Sequence, residues 1–184
     1  MPHVVLTGGP GAGKTAVLGE LAAMGYTTVE DTARAIIAER VARGASPRPD
    51  LPTFAREILR RDIAKYVGQP RTSQWVFFDR GLIDSVGMLQ EVAPLPAHEL
   101  QAMLAAYPFH PSVFVFPPWE AIYVNDSERD QSFTDAINVH DKVVLWYRSC
   151  GYIVHEVPRL PVAQRAQHVV EYLAQGNASP RFTC

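Results

Sequence analysis

Lysine is nearly absent from this chain of 184 residues: of its 17 basic side chains only Lys14, Lys65 and Lys142 are lysines, and the rest are arginines. Arginine forks onto phosphate and carboxylate oxygens, whereas a lysine is a compact point charge. Basic excess is missing too. Acidic residues number 19 and the net charge is −2, which argues against binding nucleic acid by bulk electrostatics. Cysteine is confined to Cys150 and Cys184, too few and too far apart for a disulfide framework or a zinc site. Cys184 also lacks the residues of a prenylation box. The six histidines have no metal-ligand spacing. The longest apolar runs, 75–78 and 113–118, are far too short to span a bilayer, so no membrane insertion is expected. No basic segment precedes the first apolar run, so no signal peptide is expected, and a reducing cytoplasmic setting is the default.

What is present is a chain that is 47% hydrophobic and 20% charged, ordinary for a soluble globular protein. Short apolar runs rich in β-branched and aromatic residues, at 3–7, 27–30, 75–79, 112–116 and 152–157, alternate with helical stretches. Those stretches are 13–24, 32–43, 53–67, 85–92, 97–107, 133–150 and 161–174. Alternation of this kind predicts an α/β fold with a parallel sheet covered by helices on both faces. One domain over residues 1–175 is expected, with a flexible tail at 176–184. The charged segment within 117–133, between the fourth strand and the next helix, is the kind of loop that carries function.

Gly8-Gly9-Pro10-Gly11-Ala12-Gly13-Lys14-Thr15 matches G-x-x-x-x-G-K-[ST] in full, with a strand before it and a helix after it. Glycines let backbone amides wrap a phosphate, and the helix start at Lys14, Thr15 and Ala16 adds a favourable dipole. Lys14 reaches the outer phosphates, and the Thr15 hydroxyl suits Mg²⁺. The pattern predicts a nucleoside triphosphate, ATP or GTP, bound with Mg²⁺.

Asp79 ends the third strand, where a carboxylate meets Mg²⁺ or a substrate hydroxyl; the plainer reading is a cap for a helix beginning near Ser85. Arg80 follows it, where an efficient hydrolase commonly places a water-activating Glu, and that favours transfer to a bound acceptor. Glu30, Asp31 and Arg34 lie at the end of the second strand, where ligands bind in parallel sheets. Either carboxylate is a candidate proton acceptor from the substrate hydroxyl, and Asp31 is equally suited to cap the next helix. Arg129, in the charged Asp126-Ser127-Glu128-Arg129-Asp130 loop, either neutralises the transferring phosphoryl group or is merely solvated. Trp119 either stacks on a ring or packs on its own fold. Arg56, Arg60 and Arg61 read as a solvated helix face.

The P-loop, Glu30-Asp31-Thr32-Ala33-Arg34, Phe78-Asp79-Arg80-Gly81, Pro117-Pro118-Trp119-Glu120 with Asp126-Ser127-Glu128-Arg129, and Val157-Pro158-Arg159-Leu160 together resemble the AAA-28 group of P-loop proteins. This group includes the nicotinamide-riboside-kinase domain of the NadR type. The resemblance implies a kinase-like P-loop fold, with a five-stranded parallel sheet in order 2-3-1-4-5 and a lid after strand four. It also implies a lid role for Arg129. Asp130 stands where the group's pattern commonly has a basic residue. The expected function is an ATP-dependent kinase that moves the γ-phosphate to a hydroxyl of a nucleoside-like or other small metabolite. Lys14, Asp79, Arg129 and Asp31 or Glu30 would carry the chemistry, with Arg34, Arg80 and Trp119 on the substrate. The alternatives are a nucleotide-dependent switch and a simple NTPase. The acceptor is expected between the cradle and the helices of 32–67. Oligomeric state is not legible.

Overall fold

The strand runs His3–Gly8, Val76–Asp79 and Ser112–Phe116 are buried along their whole length, and each of their faces finds its own partner layer. In the computed structural model, which describes residues 3–69, 73–123 and 132–176, the five strands are β1 (His3–Gly8), β2 (Thr27–Val29), β3 (Val76–Asp79), β4 (Ser112–Phe116) and β5 (Ile153–Glu156). They form one sheet in order β2-β3-β1-β4-β5 with every pairing parallel. Side chains alternate across the sheet. Val4, Leu6, Phe77, Phe114 and Phe116 face one side, in a core with Val17, Leu21, Ala166 and Val169. Val5, Val76, Phe78, Val113 and Val115 face the other, with Leu59, Leu82, Val86 and Tyr147. The order and the continuous apolar runs match the sequence expectation.

The first face is covered by α1 (Lys14–Ala23) and α7 (Val162–Ala174). On the second lie α3 (Leu51–Val67), α4 (Leu82–Val92), α5 (Ala97–Ala106) and α6 (Phe133–Ser149), while α2 (Thr32–Ala42) packs on α3. Two helix starts differ from the expected ones for local reasons. α3 begins two residues earlier because Asp50 accepts from the Thr53 amide at 3.0 Å and Pro52 sits in the first turn. α4 begins at Leu82 rather than near Ser85, because Asp84 reaches back to the Gly81 amide at 2.9 Å. A short 3₁₀ turn at Glu120–Ile122 has no signature in the sequence. Among the described residues no helix is long and apolar enough to cross a membrane.

Candidate active site at the carboxyl ends of the strands

β1 runs straight into the cradle, and β3 ends beside it, because the two strands are paired with Leu6 opposite Asp79. Gly8 has φ +129°, and a Cβ there would stand 2.5 Å from the Phe116 carbonyl oxygen, so only glycine fits between β1 and β4. Gly13 has φ +80° and is the left-handed residue that turns the loop into α1. Lys14 is buried and donates to the Gly8 and Gly9 carbonyls at 3.2 and 2.9 Å. Burial, with help from nearby Arg80, lowers its pKa to about 8, against the pull of Asp79, Asp31 and Asp84.

The Thr15 hydroxyl lies 3.4 Å from Asp79 Oδ2. Asp79 is buried, burial raises its pKa, and Oδ1 has no hydrogen-bond partner among the described residues. An orphaned carboxylate oxygen beside a threonine hydroxyl is a pair of hard oxygens that suits Mg²⁺. Among the described residues no group of three His, Cys, Asp or Glu side chains forms a metal cluster.

Arg80 is the only non-glycine with positive φ, +62°, among the described residues. Left-handed backbone costs such a residue roughly 1–2 kcal/mol, and this strain sits beside the cradle. Its amide donates to Leu6 and its guanidinium to the Gly8 carbonyl, both at 2.9 Å. It also lies 3.6 Å from Asp31 Oδ2 and 3.5 Å from Asp84 Oδ1. Burial opposes its charge, but Asp84, Asp31 and Asp79 outweigh that and raise its pKa.

Asp31 plays both parts open to it. Oδ1 caps α2 by accepting from the Ala33 and Arg34 amides at 2.8 and 3.4 Å, while Oδ2 faces Arg80. Arg34 lines the same cavity and lies close enough to lower the Asp79 pKa. Glu30 is exposed, does not line the cavity, and lends only its carbonyl to Lys65. Trp119 lies outside the cavity lining, with the Arg165 guanidinium 5.5 Å from its ring centre. Arg129 and the rest of the 126–130 segment lie outside the described residues, as does 177–184 of the expected tail. Arg60 and Arg61 are ion-paired on the surface with Glu57, and Arg61 with Glu39 as well.

The cavity is about 1080 Å³. Residues 10–15 form one wall and α2, α3, α4 and α6 the others. Three residues that the sequence reading did not single out matter here. Asp84 accepts from the Thr7 hydroxyl and, at 2.6 Å, from buried Tyr147. Its spacing from Arg80, four residues on, was the available signal. Asp62 lines the cavity from α3 and accepts from Thr32. Arg165 is buried on α7 and donates to the Ala12 carbonyl at 3.2 Å. Nothing local in the sequence marks the last two, since both depend on contacts between distant segments.

A family model described as an AAA domain, AAA-28, matches residues 3–165. No curated protein matches the chain in sequence. Among solved structures, a NadR protein in complex with NR aligns at TM-score 0.68 and 16% identity, covering 99% of this chain and 54% of that one. Deoxyadenosine kinase from M. mycoides aligns at 0.64 and 12%, covering 94% and 99%. Shikimate kinase from Acinetobacter baumannii, solved with shikimate, aligns at 0.55 and 16%, covering 97% and 96%. At these identities the likeness is one of fold.

Proposed function

The chain belongs to the AAA-28 family, and from that membership and the cradle geometry we propose that it is an ATP-dependent small-molecule kinase. The observation that carries the reading is the buried Asp79 Oδ1, without a hydrogen-bond partner among the described residues, beside Thr15 and Lys14 at the edge of a cavity large enough for an acceptor. Lys14 steadies the outer phosphates. Thr15 and Asp79 would hold Mg²⁺, which would supply charge neutralisation for the phosphates when bound. The acceptor hydroxyl gives its proton to Asp79 or to Asp31. Arg80, fixed by Asp31, Asp84 and the Gly8 carbonyl, faces the transferring group as a cation that needs no reorganisation. Arg34 is placed to hold the acceptor from α2. No carboxylate follows Asp79 to activate water, which favours transfer over hydrolysis.

The solved structures of similar fold, two of them kinases and one a NadR protein holding NR, suggest a panel of compounds to try as acceptors: deoxyadenosine, shikimate and NR. The full chain is incubated with Mg²⁺ and γ-labelled ATP and each acceptor, beside Asp79→Asn. Label on an acceptor, abolished by Asp79→Asn while nucleotide affinity stays within about threefold, supports the proposal. Retained turnover in Asp79→Asn removes Asp79 from its assigned role.

A further inference from the structure

Asp62 is a carboxyl on the acceptor side of the cavity that the phosphoryl chemistry leaves unused. It projects from α3 into the cavity lining, where the neighbouring wall is apolar, built of Ile37, Phe54, Ile58 and Met88. Thr32, buried at the first residue of α2, donates its hydroxyl to Asp62 Oδ1, while buried Ser85 on α4 stands near the carboxyl with its own hydroxyl given to the Leu82 carbonyl at 2.9 Å. α2 and α3 thus meet at one side chain, with α4 beside it. An ionised carboxyl in an apolar wall is costly unless hydrogen-bonded, and it has about four lone-pair sites. The one observed hydroxyl donor, Thr32, leaves capacity for a donor from the cavity. Burial pushes its pKa up to about 6, against the nearby Thr32 and Ser85 hydroxyls; Asp84 on α4 adds to the rise and Lys65 on α3 opposes it. The Thr32 contribution from α2 is a hydroxyl, not a charge.

We propose that Asp62, held by Thr32, is an acceptor-recognition residue. It takes a second hydrogen-bond donor, a hydroxyl or amine, on an acceptor with an apolar body, and it selects uncharged or cationic hydroxyl compounds over those already carrying phosphate. The inference rests on the kinase reading and deepens it at the acceptor end. A phosphomonoester would bring like charge toward Asp62 and Asp31. Arg34 on α2 also lines the cavity, and attraction of an ester to it would count against this selection. Attraction to Arg48, which also lines the cavity, is the competing outcome.

The test is binding to the full chain with saturating Mg²⁺ and a non-hydrolysable ATP analogue. The probes are nucleosides, sugars, inositols and amino alcohols, such as uridine, ribose, myo-inositol and ethanolamine, each beside its phosphomonoester. Wild type is expected to bind at least one parent compound more tightly than its ester. Asp62→Asn keeps the volume and a partner for Thr32, and should weaken that binding tenfold or more. Thr32→Val should weaken it too, and Thr32→Ser should restore it to within about threefold. Wild-type affinity should fall as pH drops through about 6, and Asp62→Asn should lack that dependence. Esters binding as tightly as their parents, no parent binding at all, or Asp62→Asn binding like wild type would overturn the inference. Phosphoryl transfer is scored separately: binding that needs Asp62 without any transfer contradicts only the kinase reading, and transfer indifferent to Asp62→Asn contradicts only this one.

Discussion

Lys14 is the residue on which most of the proposed chemistry converges, and its surroundings make a pH prediction. Its pKa is lowered to about 8, so the free protein carries the cation below that pH and loses it above. Above pH 8, kcat/KM for ATP should therefore fall about tenfold per unit, with kcat less affected because bound phosphate restores the charge. A kcat/KM profile flat to pH 9.5 would remove Lys14 from this role. At the same scale the sequence was legible wherever a residue's meaning is local. Lys14, Thr15, Asp79 and Asp31 stand at strand ends or in a complete motif. Asp62 and Arg165 were not legible, because each acquires its partner from a segment 30 or 153 residues away, and Asp84 carried only its spacing from Arg80 as a local signal. Glu30 was singled out with Asp31, but one step along an extended chain reverses the direction of a side chain.

The elements that shape the site are held together by α4 and α6. Tyr147 donates to Asp84 at 2.6 Å, and Trp146 Nε1 donates to the Ile83 carbonyl at 2.8 Å, so α6 fixes the first turn of α4, where Asp84 meets Arg80. Tyr147→Phe keeps the buried ring but removes a hydrogen bond to a carboxylate. It should cost about 1.5–3 kcal/mol of stability, read by denaturant unfolding at unchanged m-value, and lower kcat more than ATP affinity. Gly8→Ala should be more damaging, since it combines positive φ with a 2.5 Å approach to the Phe116 carbonyl; loss of nucleotide binding is the expected result in a binding titration. The strands β1, β3 and β4 were legible because both of their faces are apolar. Helix starts were less so, because Asp50 and Asp84 mark them only through capping contacts that form in the fold.

Across the whole molecule, a sheet with helices on both faces leaves its strand ends as the place for a ligand. That much follows from the alternating pattern alone, and the sheet order agrees with what the family resemblance implied. The cavity's two-sided character does not follow from it. Residues 10–15 meet a wall made by four helices, and only their packing reveals it. Ligand bound there stabilises the fold. At about 100 times its Kd, Mg·ADP should contribute about 2.7 kcal/mol, raising Tm by about 5–10 °C for a chain of this size. Lys14→Ala should abolish most of that shift in a thermal melt.

The most direct test of the account is the fate of the γ-phosphate. With Mg²⁺, labelled ATP and an acceptor that binds, the account predicts one phosphorylated acceptor per ADP formed and little free phosphate. ADP matched by free phosphate alone, or tight nucleotide binding with neither product, would contradict it.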